Sequence, residues 1–93
     1  MPLAELMVVP VSGVPMKPVV DRAIEAIKHS GVKYEVGALA TTLEGSLEQI
    51  FDAASKVHQA AMAQAKDRVI TELRIDERAD GNCSIEHDTR SYR

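Results

Sequence analysis

Aromatic residues are nearly missing from this 93-residue sequence: it has no tryptophan, and Phe51, Tyr34 and Tyr92 are the whole complement. A core without large rings must rely on Val, Ile, Leu, Met and Ala. Cysteine is scarcer still. Cys83 stands alone, which excludes an internal disulfide framework. No basic stretch is longer than two residues and the formal net charge is −3, so the clustered Lys and Arg that nucleic-acid phosphates demand are absent. Long apolar runs are missing too. Met1 to Met16 is apolar, but Glu5 and three prolines interrupt it; it has no basic leading region and is too short to cross a bilayer. These absences predict a soluble cytoplasmic protein with neither a membrane nor a nucleic-acid partner.

What is present reads as an ordinary globular balance, 45% apolar and 27% charged. The length predicts a single domain over residues 1–93, with a core at about 3–76 and a polar tail at 77–93. A chain this short buries roughly 60–65% of its unfolded surface, which leaves a small core, and oligomerisation is a common remedy.

Residues 3–11 are β-branched and apolar and predict a strand. Ala4, Leu6 and Val8 face one way and Glu5, Met7, Val9 and Val11 the other. With both faces largely apolar, the strand should be central. Ser12-Gly13-Val14-Pro15 breaks it. A helix is predicted after Pro18, with Val20, Ala23, Ile24 and Ile27 inward and Gly31 as its stop. Lys33–Val36 and Thr41–Glu44 read as a hairpin of two strands. Ser46 with Gln49 gives a capping box that opens a second helix, whose apolar stripe is Leu47, Ile50, Phe51, Ala54, Val57, Ala61 and Ala65. Phe51 is expected in the core. Arg68–Ile75 alternates as a last strand, and Ser84-Ile85-Glu86 is a candidate start of a short terminal helix.

Two β-α-β halves of similar length give an α+β fold, a ferredoxin-like β-α-β-β-α-β sandwich with a four-stranded antiparallel sheet and both helices on one face. Strands one and three should be central, with strand four beside strand one. Glu5 and Arg74 would then meet on the helix-free face, which also carries Met7, Val9 and Ile70 and is a candidate partner surface.

Such a fold hosts many functions, so the site must decide. A heavy-metal domain needs Cys-x-x-Cys after strand one, and Cys83 is alone. An RNA-binding sheet needs aromatics on its middle strands, which have none. A phosphate loop of acylphosphatase type needs an arginine that residues 11–15 lack. His29, His58 and His87 form no recognised ligand pattern and read as surface histidines. Cys83 reads as an incidental thiol. No metal site, cofactor or nucleophile–base arrangement is expected, so the chain is read as a non-enzyme. The stretch Ala40-Thr41-Thr42-Leu43-Glu44-Gly45-Ser46 stands apart. Two hydroxyls and a carboxylate occupy a predicted central strand, where a buried polar group is costly without a partner. Gly45 and Ser46 are explained as a helix lead-in, whereas Thr41, Thr42 and Glu44 are not.

On Val8-Val9-Pro10-Val11, Lys33-Tyr34-Glu35, Thr41-Thr42-Leu43-Glu44-Gly45, Arg68-Val69 and Ile75-Asp76-x-Arg78, the sequence resembles the small stand-alone thiamine-binding family. It departs at Ala40, where many members have glycine, and at Ser12-Gly13-Val14-Pro15, where many have Gly-Thr. The resemblance implies a ferredoxin-like fold, a homo-oligomer (dimer or tetramer) assembled through the sheets, and binding of thiamine or a hydroxymethylpyrimidine-like ligand without established catalysis. The candidate ligand-binding residues are Ser12, Thr41, Thr42, Glu44 and Arg74. Glu44 can accept from the ligand's amino group and balance the thiazolium cation, and threonine hydroxyls donate or accept. Neighbours on a strand point to opposite faces, so which threonine contacts ligand is open. The rival reading is an oligomeric regulatory or structural module in which Glu44 pairs with an arginine such as Arg74.

Overall fold

The computed structural model describes residues 1–11, 13–81 and 83–89. Its order is β1 (Leu3–Pro10), α1 (Met16–Ser30), β2 (Lys33–Val36), β3 (Thr41–Glu44), α2 (Leu47–Ala65), β4 (Val69–Asp76) and α3 (Ile85–Thr89). The four strands form one antiparallel sheet in the order β2-β3-β1-β4, as the two-halves argument predicts. Strand β1 aligns Leu3–Leu6 with Glu44–Thr41 on one side and Leu3–Pro10 with Asp76–Val69 on the other.

That register divides the side chains between two faces, because successive residues of a strand alternate. Ala4 and Leu6 are buried towards the helices, and Leu43 and Thr41 follow them through their pairing on β3. Glu5 takes the other face with Thr42 and Arg74, its neighbours on either side. Leu3 joins that face with Glu44 and Asp76, and Lys33 joins it opposite Glu44.

The helices cover the first face through one apolar seam. Ala23 and Ile27 of α1 meet Ile50, Ala53 and Val57 of α2 over Ala4, Leu6 and Leu43, and Val19 meets Ala61 and Ala65 further along. Small alanines on α2 let the two helices approach closely. Helix α1 begins at Met16, two residues before Pro18. Proline is tolerated there because first-turn N–H groups have no intrahelical partner. Val19, and not Val20, is the buried valine, at i, i+4, i+8 spacing with Ala23 and Ile27. Gly31 closes α1 at φ +78°, a backbone conformation that favours glycine. Ser46 and Gln49 make the reciprocal capping box that opens α2.

The apolar stripe expected on α2 is corrected at two positions. Phe51 is not core: it is 55% exposed, and Leu47 is exposed as well. Ile50 points over the sheet, and the next residue lies about 100° further round the helix, outside the seam. Strand β2 is largely exposed, with Tyr34 alone half-buried. In the tail, the short terminal helix expected at residues 84–86 is present as α3 from Ile85, and Cys83 and Ile85 are buried.

This packing predicts opposite outcomes for adjacent residues of α2. Ile50→Ala should lower unfolding stability by about 2–5 kcal/mol, as expected for a filled core site. Phe51→Ala should change it by about 0.5 kcal/mol or less, as at a surface site. Urea unfolding of the two variants checks the assignment.

Candidate functional site

Two depressions involve the threonine pair, and they lie on opposite faces of the sheet. The first is a cleft of about 140 Å³ between α1, the inner face of β1 and the β2–β3 turn. Leu6, Val20, Ile24, Leu39, Ala40 and Thr41 are among its walls. The turn is closed by the Gly37 N–H donating to the Ala40 carbonyl at 2.9 Å. A Cβ on residue 37 would stand 2.8 Å from that oxygen, so glycine is required there. Leu39 sits at the turn, 88% exposed.

Thr41 gives this cleft its chemistry. Among the described residues it is the sole polar side chain in the buried class, 8% exposed, and its hydroxyl has no hydrogen-bond partner there. An unsatisfied buried hydroxyl costs about 1–3 kcal/mol, so it calls for a reason. The remainder of the cleft wall is almost wholly apolar.

The second depression, about 250 Å³, lies on the helix-free face and is lined by Leu3, Glu5, Thr42, Arg74, Ile75 and Asp76 among others. Glu5 and Arg74 meet across the ladder at 3.7 Å, as their register predicts. Both are well exposed, which makes the pair a weak stabiliser.

Glu44 stands on the helix-free face two residues beyond Thr42. Its side chain is 15% exposed. One carboxylate oxygen accepts from the Ile85 backbone N–H at 2.8 Å, and the other lies 3.6 Å from the Lys33 ammonium. Lys33 also reaches Glu86 at 3.6 Å. The arginine pairing expected under the rival reading is therefore not the one made: Arg74 goes to Glu5, and Glu44 goes to Lys33 and the terminal segment.

Of the five candidate ligand residues, the structure brings Thr42 and Arg74 together in the helix-free depression, with Glu44 near by on the same strand. Thr41 is placed apart from them, in the cleft beneath the turn. Ser12 lies outside the described residues. Sequence reading missed Val20, Ile24 and Leu39 as cleft walls, because their apolarity was assigned wholly to helix packing or to a plain turn. It also missed Glu5 and Asp76 beside Thr42, which alternation along the paired strands could have located.

The histidines do not converge. His29 bonds the Glu25 carbonyl at 2.8 Å through Nδ1, and His58 Nδ1 lies 2.7 Å from the Thr71 hydroxyl. Asp76, Cys83 and Asp88 bring potential ligand atoms within 4.8 Å of one another, and Asp88 also pairs with Arg78 at 3.9 Å. Among the described residues no helix is long and apolar enough to cross a membrane.

Comparison with known proteins places this arrangement in a family. A UPF0045 protein of Methanocaldococcus jannaschii is 36% identical over 85 residues, covering 90% of this chain and 84% of that protein. The solved structure of a domain of unknown function from Bacillus cereus superposes with a TM-score of 0.89 at 36% identity, covering 99% of this chain and 89% of that one. A crystal structure from Thermotoga maritima, of a protein assigned provisionally to thiamine biosynthesis or salvage, superposes with a TM-score of 0.87 at 39% identity, covering 99% and 98%. The family model described as thiamine-binding protein matches residues 4–93, and the chain belongs to that family.

Proposed function

We propose that this chain binds thiamine or a related hydroxymethylpyrimidine-type ligand without transforming it, and that the pyrimidine ring enters the cleft beneath the β2–β3 turn. The observation that carries the reading is Thr41, a buried hydroxyl without a partner in an otherwise apolar cleft. Small-molecule sites have this composition, apolar walls with a few placed polar groups. At about 140 Å³ the cleft is small for a whole drug-sized ligand and suits a single flat ring. The ring nitrogens and amino group of an aminopyrimidine can bond a hydroxyl that both donates and accepts. The thiazolium half would then extend past Leu39 towards solvent. The family membership and the provisional assignment of the Thermotoga maritima protein support the same ligand class.

A second placement is favoured by charge. Glu5, Thr42, Arg74 and Asp76 line the helix-free depression, and Glu5 and Asp76, with Glu44 close by, outnumber the one guanidinium there, which suits a cation. Two variants separate the placements. Calorimetry with thiamine and with hydroxymethylpyrimidine should show Thr41→Val weakening binding roughly 3- to 10-fold, the loss of one neutral hydrogen bond. Thr42→Val should bind as wild type does. The reverse pattern would move the ligand to the helix-free face, and a wild-type protein that binds none of these compounds would leave the oligomeric module as the better reading. In the empty protein Thr41→Val should melt no lower than wild type, because the substitution removes an unpaired buried hydroxyl at nearly constant volume.

We further propose that the helix-free face pairs with a second copy of the chain. Ile70 is 47% exposed there, beside half-buried Met7 and Val9. Light scattering should give a mass above the monomer, and Met7→Lys or Ile70→Lys should reduce it. A stable wild-type monomer at micromolar concentration would exclude this assembly.

A further inference from the structure

We propose that the described residues 77–81 and 83–89 form a strap, latched by Glu44 and Lys33 across one end of the helix-free face, which opens as a unit while the rest of the fold stays closed. The strap is tied to β2, β3 and β4 at that end of the sheet, and to Met1 just before β1. Cys83 and Asp88 come within 4.8 Å of Asp76 on β4. The Ile85 N–H is held by Glu44 of β3, and Glu86 faces Lys33 of β2. The amino group of Met1, just before β1, donates to the Gly81 carbonyl at 3.2 Å.

These attachments are of a kind that lets go together. Helix α3 has five residues, too few to hold its shape alone. The strap adds no strand to the sheet, and among the described residues its buried side chains are Cys83 and Ile85. Three of the latch's polar contacts run through two side chains at the β2–β3 end. Glu44 accepts the backbone bond, and Lys33 makes both ion pairs, to Glu44 and to Glu86. Segments with few buried apolar contacts open well below the free energy of global unfolding.

Closed, the strap is a cover over one end of the sheet. It uses the Glu44 acceptor internally and masks the end of the face that continues past Glu5 to Met7 and Val9. Open, it offers that acceptor and the seat of Ile85 to another molecule. The proposal does not depend on thiamine binding, and its test uses no ligand.

Cys83 is the chain's one thiol and is 3% exposed, so its modification by Ellman's reagent reports lifting of the strap directly. In the full chain, wild-type labelling should be slower than in urea-unfolded protein yet faster than global unfolding followed by circular dichroism. Glu44→Ala should speed it by about tenfold or more, the loss of a charge-assisted hydrogen bond. About 1 M salt, which shortens screening to about 3 Å, should speed the wild type but have little effect on Lys33→Ala, where both ion pairs are already gone. Glu25→Ala, at an exposed position of α1 paired with Arg22, should label as wild type does. Labelling no faster than global unfolding, or a Glu44→Ala rate equal to wild type, would overturn the strap. Should Glu44→Ala fail to fold, a wild-type rate indifferent to salt and equal to that of Lys33→Ala would overturn it as well.

Discussion

Strand β1 exchanges backbone hydrogen bonds with β3 over Leu3–Leu6 and with β4 over Leu3–Pro10, and the faces of all four strands are set by that double register. A slip of one residue in either pairing would reverse every side chain of the neighbour. Leu43 would then leave the helices for the open face and Glu44 would enter the core. The alternation is held because Ala4, Leu6 and Leu43 are buried together beneath Ile27, Ile50 and Val57. The core therefore does more than stabilise the fold. It determines that Thr41 lies in the cleft beneath the β2–β3 turn while Thr42 stands on the opposite face.

The core that enforces this is thin. Its largest fully buried side chains are Ile27, Leu43, Ile50, Val19 and Val57, with no ring among them. Alanines at 53, 61 and 65 bring α1 close to α2, and close approach compensates in packing density for what small side chains lack in area. The one phenylalanine lies outside this seam. Leu39, Val36 and Ile70 are likewise left in solvent. Apolar surface outside so small a core is the kind that a ligand or a second subunit can cover at a gain.

Element order, sheet order and the Glu5–Arg74 contact were legible in the sequence, because alternation and capping chemistry are local signals and the right-handed crossover rule removes most alternatives. Phe51 was not, since Ile50 and Phe51 compete for one stripe and the choice is made by the angle at which α2 lies on the sheet. The start of α1 was misplaced because proline is equally at home before a helix and in its first turn. The partners of Glu44 were out of reach for another reason: a backbone N–H 41 residues away leaves no mark on composition or spacing. Cys83 and Ile85 were lost in the same way, as two apolar positions in a polar segment too short to show a period.

The segment from Thr41 to Ser46 draws these threads together. Its polarity looked anomalous for a central strand because it was weighed as one unit, whereas alternation gives consecutive residues separate tasks. Leu43 fills the core at 0% exposure. Thr41 shares its face and brings a hydroxyl to the cleft wall. Thr42 and Glu44 turn away, the first into the helix-free depression and the second to the terminal segment. Gly45 is buried where a Cβ would stand 2.8 Å from the Gln49 side-chain oxygen and 3.1 Å from Val32, so the capping box leaves room for nothing larger. Ser46 completes that box. Lack of room for a side chain accounts for Gly45, capping for Ser46, packing for Leu43, and the Ile85 and Lys33 contacts for Glu44. Once these are subtracted, the Thr41 hydroxyl is the buried polar group with nothing in the described chain to satisfy it, and that is the reason the proposed ligand is placed at Thr41 and not at Glu44.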